Sequence, residues 1–121
     1  IAANASVELA RFDAAEWDKA GVEKTIAFAT LTDGDRLLAR HRLILPRFCE
    51  LTWGPANVTV RRDGGHVVFG SSTFAWGVCL DLEGREALPD NFFDVWPGME
   101  YRLSSPVARP LPQILRVGNL V

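Results

Sequence analysis

The segment that most constrains the fold is 57–71, which reads NVTVRRDGGHVVFGS. Apolar and polar residues alternate on both sides of an Asp-Gly-Gly step, and this period of two residues is that of a β-strand. Glycine readily adopts the positive φ angles of a tight hairpin turn, so Gly64 and Gly65 predict a turn between two antiparallel strands. The chain is therefore expected to contain a sheet built from hairpins.

The same period recurs elsewhere. A second hairpin is predicted by VEKTIAFATL and RLLARHRLIL, which flank the turn sequence TDGD at 32–35. STFAWGVCLDL is apolar on both faces, as is typical of a central strand. Further strands are predicted in ASVELARF, GMEYRLS and QILRVGNL. One short helix is predicted at 13–21, with Asp13 as N-cap and Gly21 as C-cap.

This pattern of short strands, separated by turn signals, indicates the fold class. It predicts an all-β fold, an immunoglobulin-like antiparallel β-sandwich of about seven to eight strands. The chain has 121 residues, the length of one ordinary domain, so we expect residues 1–121 to form a single sandwich. Because residue 1 is Ile rather than Met, we expect this domain to be a piece of a longer protein.

Charge and hydropathy exclude some classes of partner. The formal net charge is −2, which leaves no basic excess to neutralise nucleic-acid phosphates or anionic lipids. No apolar run approaches the roughly 18 residues of a membrane span. We therefore expect no nucleic-acid and no membrane partner. Cys49 and Cys79 are expected to be free thiols, and the sequence predicts no cellular location.

Candidate catalytic groups are few. Asp90 and Asp94 could form the carboxylate pair of an acid-base site, but both lie among turn residues where Asp commonly accepts backbone N–H groups. A structural role is therefore expected for both acids, with Asp90 and Asn91 accepting backbone N–H groups in an Asx-turn. Pro97 and Gly98 fit the central positions of a type II turn. His41 and His66 have no Cys, Asp or second His at the spacing of metal ligands. We predict no catalytic residue, no metal site and no cofactor in this chain.

Tryptophans offer a second kind of site, because sugar-binding proteins stack exposed aromatic rings on pyranoses. Trp76 alternates with core residues and is expected to be buried. Trp53, in the loop LTWGPAN, and Trp96 are the better candidates for contact with a sugar or with another domain.

The stretch 88–103, LPDNFFDVWPGMEYRL, resembles a signature near the end of family 2 glycoside hydrolases of the β-mannosidase type. That signature has the form Ser-Asp-Asn-Phe/Tyr-Phe-x-Leu-Leu-Pro-Gly-Glu. The residues that match in order and spacing are Asp90, Asn91, Phe92, Phe93, Pro97 and Gly98. The departures are Pro89, Val95, Trp96 and Met99. Weaker similarity in WGVCLDLEG, RLILPRFCELTWGPANVTV and ILRVGNLV extends the resemblance over about residues 36–121.

The resemblance implies that the chain is the C-terminal accessory domain of a larger hydrolase, which removes terminal β-linked sugars. In that family the catalytic glutamates lie on an α/β barrel, so no catalytic residue carries over to this chain. The implied partners are the other domains of the parent enzyme. Two alternatives stay open: a carbohydrate-binding module that uses Trp53 or Trp96, and an adhesive or receptor-like sandwich unrelated to sugars.

Overall fold

A computed structural model describes residues 6–8, 10, 11 and 13–119. The chain divides into two compact units, Ile1–Thr52 and Trp53–Val121. Within the described residues, seven strands form antiparallel sheets, and the helical structure is one short α-helix and two 3-10 helices.

The first unit begins with helix α1 (Ala14–Ala20), and its ends are those predicted. The Asp13 carboxylate accepts the N–H of Glu16, while the Glu16 carboxylate accepts the N–H of Asp13. This capping box satisfies N–H groups that have no partner inside the helix. At the other end, the N–H of Gly21 donates to the carbonyls of the last helical turn.

The same unit contains the first predicted hairpin. Strands β1 (Ala27–Asp33) and β2 (Arg36–Leu43) pair in antiparallel register, and the pair Asp33 and Arg36 encloses a two-residue turn. The register shifts once, between Leu31 and Thr32. Two 3-10 helices, Val22–Lys24 and Phe48–Glu50, flank the hairpin in sequence.

The second unit contains two sheets. Their strands are β3 (Thr59–Asp63), β4 (His66–Gly70), β5 (Ala75–Val78), β6 (Phe93–Val95) and β7 (Tyr101–Ser104). One sheet has the order β3-β4-β7, and the other pairs β5 with β6. The hairpin of β3 and β4 turns at Gly64 and Gly65 as predicted, since Asp63 pairs with His66.

The two sheets of this unit share one hydrophobic core. Val67 and Phe69 of β4 belong to the same buried cluster as Val78 of β5 and Phe93 of β6. The Phe69 and Phe93 rings meet edge to face, with 4.9 Å between their centroids. The predicted fold class, an all-β antiparallel sandwich, is therefore confirmed.

Four strand predictions differ from the structure. STFAWGVCLDL, predicted as a central strand, is a strand only over Ala75–Val78, and its sheet has one other strand, β6. The predicted strand ASVELARF includes residues 5, 9 and 12, which lie outside the described residues, and its other residues are irregular. Strand β6 was not predicted. Over its described residues, 113–119, the segment QILRVGNL, predicted as a strand, forms one isolated bridge, between Arg116 and Cys79. The N–H groups of Leu115 and Arg116, which are consecutive residues, both donate to the Cys79 carbonyl. In an antiparallel ladder, bonded and non-bonded residues alternate, so the ladder does not continue here.

Candidate functional site

The stretch 88–103 forms a corner that joins β6 to β7. The Met99 N–H donates to the Trp96 carbonyl at 3.1 Å, which closes a four-residue turn around Pro97 and Gly98. Gly98 has φ 70°, the value that the third position of a type II turn requires, and proline sets φ at the second position. The type II turn predicted from the Pro-Gly step is confirmed.

Asn91 attaches this corner to the end of β5. Its side-chain oxygen accepts the Leu80 N–H at 2.9 Å, and its side-chain nitrogen donates to the Asp81 carbonyl at 2.6 Å. One amide group thus supplies the donor and the acceptor that a neighbouring strand would offer. The sequence predicted that Asn91 accepts a backbone N–H within its own turn, but its partners lie ten and eleven residues away.

Asp90 connects the corner to the aromatic part of the core. One carboxylate oxygen accepts the N–H of the next residue, Asn91, at 2.8 Å, and the other accepts the Tyr101 hydroxyl. The Tyr101 ring stacks on Phe93 with 4.2 Å between centroids and 8° between planes. Phe92, in contrast to Phe93, has 59% of its surface exposed, and its φ is 60°.

Asp94 binds an irregular point in the second sheet. The register of β5 and β6 shifts between Ala75 and Val78, and Gly77 has no partner residue in that register. The Asp94 carboxylate accepts the Gly77 N–H at 3.0 Å. The carboxylates of Asp90 and Asp94 therefore both accept hydrogen bonds from within the fold.

Asn119 is a residue of similar importance that the sequence analysis missed. It is 6% exposed, its side-chain oxygen accepts the Trp76 N–H at 2.7 Å, and its nitrogen donates to the Phe74 carbonyl at 2.7 Å. The same nitrogen lies 3.2 Å from the Gly54 carbonyl. These partners are 43 to 65 residues away in sequence, so no local pattern indicates them.

The two predicted contact tryptophans occupy different environments. Trp96 is 4% exposed and has no open ring face, whereas Trp53 is half-buried. The Trp53 ring is stacked with Trp76, with 5.6 Å between centroids and 21° between planes, and with Phe74, at 6.1 Å and 28°. Trp76, which was expected to be buried, is half-buried. Of the two predicted contact tryptophans, Trp53 is the residue that can present aromatic surface to a ligand.

A cavity of about 260 Å³ opens at the end of the sandwich next to the β3-β4 turn. This cavity, the end pocket, has a floor of core residues, namely Val67, Leu80 and Leu103. One wall comes from loop 86–89, and the other comes from the proline-rich segment 104–113. No single motif predicts it, because its three parts come from distant segments of the chain.

Two arginines fix the proline-rich wall. Arg62 donates to the carbonyls of Ser105 at 3.4 Å, Pro106 at 3.3 Å and Arg109 at 2.5 Å. Arg109 reaches the opposite wall, where it donates to the Ala87 carbonyl at 2.9 Å and forms an ion pair with Glu86. The two walls are therefore connected directly.

Asp81 organises the loop that leads to Glu86. Its carboxylate accepts the N–H of Glu83 at 3.0 Å and that of Glu86 at 2.6 Å. The bond from the Glu86 N–H is the main reason that the pKa of Asp81 lies below its ordinary value. Burial acts in the opposite direction, and the N–H groups of residues 83–85 add to the lowering.

Other residues that could carry chemistry are dispersed. His41 and His66 are exposed, as expected for solvated strand histidines. Cys49 is exposed and Cys79 is buried, and both are free, as predicted. Across the described part of the chain, no group of three or more His, Cys, Asp or Glu residues could bind a metal ion. No described helix is long and apolar enough to cross a membrane.

Two comparisons of the sequence with known proteins found no match. No model of a protein family matches the chain. A search of curated protein sequences also finds no match. The resemblance of stretch 88–103 to the end of family 2 glycoside hydrolases therefore stays a prediction based on its residues.

Proposed function

We propose that this chain is a non-catalytic accessory β-sandwich domain of a family 2 glycoside hydrolase of the β-mannosidase type. In this proposal the parent enzyme removes terminal β-linked sugars, and the carboxylates that do so lie on an α/β barrel outside these 121 residues. The partners of the domain are the other domains of that enzyme.

The observation that carries the proposal is the use of the motif residues in the corner. Asn91 binds the main chain at residues 80 and 81, Asp90 binds Tyr101, and Phe93 enters the core. Pro97 and Gly98 form the turn that directs the chain into β7. Five of the six matched residues, all but the exposed Phe92, thus build one corner. Relatives with the same fold would retain such a signature, whatever their substrates.

The acids of the corner favour a structural over a catalytic role. A general acid or base must have its carboxylate within hydrogen-bond reach of the substrate. Asp90 binds the Tyr101 hydroxyl and a backbone N–H, and Asp94 binds the Gly77 N–H. Moving either carboxylate to a substrate would break bonds that the fold uses.

Two measurements test this proposal. The first is the coding sequence around the segment for 1–121, where we expect an α/β barrel in the same reading frame. The second is hydrolysis of nitrophenyl β-mannoside by the 121-residue chain and by the longer product. We expect activity in the longer product alone. A frame without a barrel, or turnover by the 121-residue chain that survives repeated purification, would overturn the proposal.

The half-buried Trp53 favours a second candidate, a carbohydrate-binding module. Stacking with Trp76 and Phe74 orients the Trp53 ring, and an oriented aromatic surface suits the apolar face of a sugar. Titration with manno-oligosaccharides, followed by tryptophan fluorescence, tests it. Saturable quenching that Trp53→Ala abolishes and the buried control Trp96→Phe retains would support binding, and the absence of saturable quenching would exclude it for these sugars.

A further inference from the structure

We propose that the end pocket is a binding site for a small, neutral, aliphatic molecule that carries one hydrogen-bonding group, such as an alcohol. The proposal rests on the shape and chemistry of the end pocket alone. It holds whether or not the chain belongs to a hydrolase.

The end pocket is formed before any ligand binds. Pro89, Pro110 and Pro112 stiffen its walls, because the pyrrolidine ring fixes φ. Arg62 binds three carbonyls of the proline-rich wall, and Arg109 binds the opposite loop at two points. A wall fixed in this way cannot collapse to fill the space, so binding requires little ordering of the protein.

The interior of the end pocket is apolar. Val67, Leu80 and Leu103 on its floor are core residues with 2 to 6% of their surfaces exposed. Leu88 and Leu111 extend this surface up the two walls, and Leu111 is 47% exposed. The floor has little surface left to cover, so a ligand gains the free energy of apolar burial chiefly by covering the walls, above all Leu111.

Size limits the ligand to a small molecule. The cavity is about 260 Å³. An apolar protein cavity of about 150 Å³ binds benzene, so the end pocket suits a six-membered ring with a small substituent, or a short alkyl chain. A drug-sized molecule fits better in pockets of roughly 300 Å³ or more.

The lining distinguishes between classes of small molecule. None of the described residues that line the end pocket is aromatic, so a pyranose ring finds no surface to stack on. Ser104, Ser105 and Gln113 supply neutral hydrogen-bonding groups. The two charged lining residues, Glu86 and Arg109, form an ion pair with each other. A charged ligand would therefore lose hydration without gaining an uncompensated opposite charge.

Methyl-group NMR on the 121-residue chain tests the proposal with cyclohexanol as the probe. We expect saturable shifts for the methyl groups of Leu88, Leu103 and Leu111. Leu111→Trp fills the mouth of the end pocket and should weaken binding about tenfold or more, a change of about 1.4 kcal/mol. The matched control is Leu115→Trp, because Leu115 is 48% exposed and does not line the pocket. It should bind cyclohexanol as the unmodified chain does.

Charged analogues complete the test. Cyclohexanecarboxylate and cyclohexylammonium have the same ring and should each bind about tenfold more weakly than cyclohexanol. If Leu111→Trp fails to fold, Leu111→Ala removes the same wall contact and should weaken binding severalfold. Shifts that rise linearly with cyclohexanol, spread over the whole chain or respond equally to both tryptophan variants would overturn the proposal. Tighter binding of either charged analogue would overturn the assignment to neutral ligands.

Discussion

Asn91 and Asn119 bind the main chain at opposite ends of strand β5. Asn119 pairs with residues 74 and 76 at its start, and Asn91 pairs with residues 80 and 81 beyond its end. Each side chain offers one acceptor and one donor, as a paired strand would. Strand β5 has only four residues, and these two side chains supply hydrogen-bond partners to the main chain at both of its ends.

Replacing Asn91 should destabilise the fold. Asn91→Ala leaves the Leu80 N–H and the Asp81 carbonyl without their partner, and Leu80 is 6% exposed, so we expect the free energy of unfolding to fall by about 1 to 3 kcal/mol. The exposed Asn57 provides the control variant Asn57→Ala, which should change it by less than about 0.5 kcal/mol. Urea denaturation measures both, and equal effects would contradict this role of Asn91.

Asn119→Ala should lower the free energy of unfolding more than a substitution at an exposed residue does, because it too leaves main-chain groups without their partner. The variant removes the acceptor for the Trp76 N–H and the donor to the buried Phe74 carbonyl. We expect a loss of about 2 to 3 kcal/mol in the free energy of unfolding. Asn119→Asp retains the acceptor but not the donor, so its stability at neutral pH should stay below that of the unmodified chain. Thermal unfolding followed by circular dichroism checks both variants.

Gly118 is required by a close approach to Trp76. A Cβ atom at residue 118 would lie 2.3 Å from Cε3 of the Trp76 ring and 2.9 Å from the Trp76 carbonyl oxygen. Because backbone as well as ring must move, we expect Gly118→Ala to destabilise the fold by about 1 to 3 kcal/mol and to change the near-ultraviolet circular dichroism. Gly65→Ala is the control, since a Cβ there meets no atom within 4 Å.

Asp81 should make stability depend on pH in the acid range. Its pKa in the folded chain is lowered, chiefly by the Glu86 N–H, and in the unfolded chain it returns to about 3.9. A lowered pKa contributes stability above the unfolded value, and this contribution disappears as the pH falls through the folded value. We expect the melting temperature to fall from about pH 5 downwards, in part through this group.

Asp81→Asn isolates that contribution. The variant should be less stable at neutral pH, and its melting temperature should depend less on pH between about 5 and 2. Asp35→Asn, in the exposed turn between β1 and β2, is the control and should leave the profile unchanged. Parallel profiles for Asp81→Asn and the unmodified chain would show that Asp81 does not contribute in this way.

Local chemistry made much of the fold predictable. Gly64 and Gly65 indicated a hairpin, Asp13 and Gly21 marked the ends of the helix, and the Pro97-Gly98 step indicated a type II turn. Each of these signals operates within a few residues of the chain. The two-residue period then predicted antiparallel sheets correctly.

Features that depend on distant residues could not be predicted. Strand β6 has three residues, too few for an alternating pattern to be recognised. The partners of Asn119 lie 43 or more residues away. Both Trp53 and Trp96 were singled out, but the sequence did not indicate that Trp96 is buried. The end pocket combines three distant segments, so only the folded chain reveals it.

The bonds of Arg62 have a consequence for how this domain can change over evolution. Among the described residues of the proline-rich wall, Arg62 donates its hydrogen bonds to main-chain carbonyls, and every residue type provides such a carbonyl. A side chain of that wall that makes none of the fixing contacts, such as Leu111, can therefore be exchanged while the path of the wall is preserved, whereas Arg109 and the prolines cannot. The scaffold and the selectivity of the end pocket are thus separable, and a protein engineer could vary the residue at Leu111 without redesigning the loop that carries it.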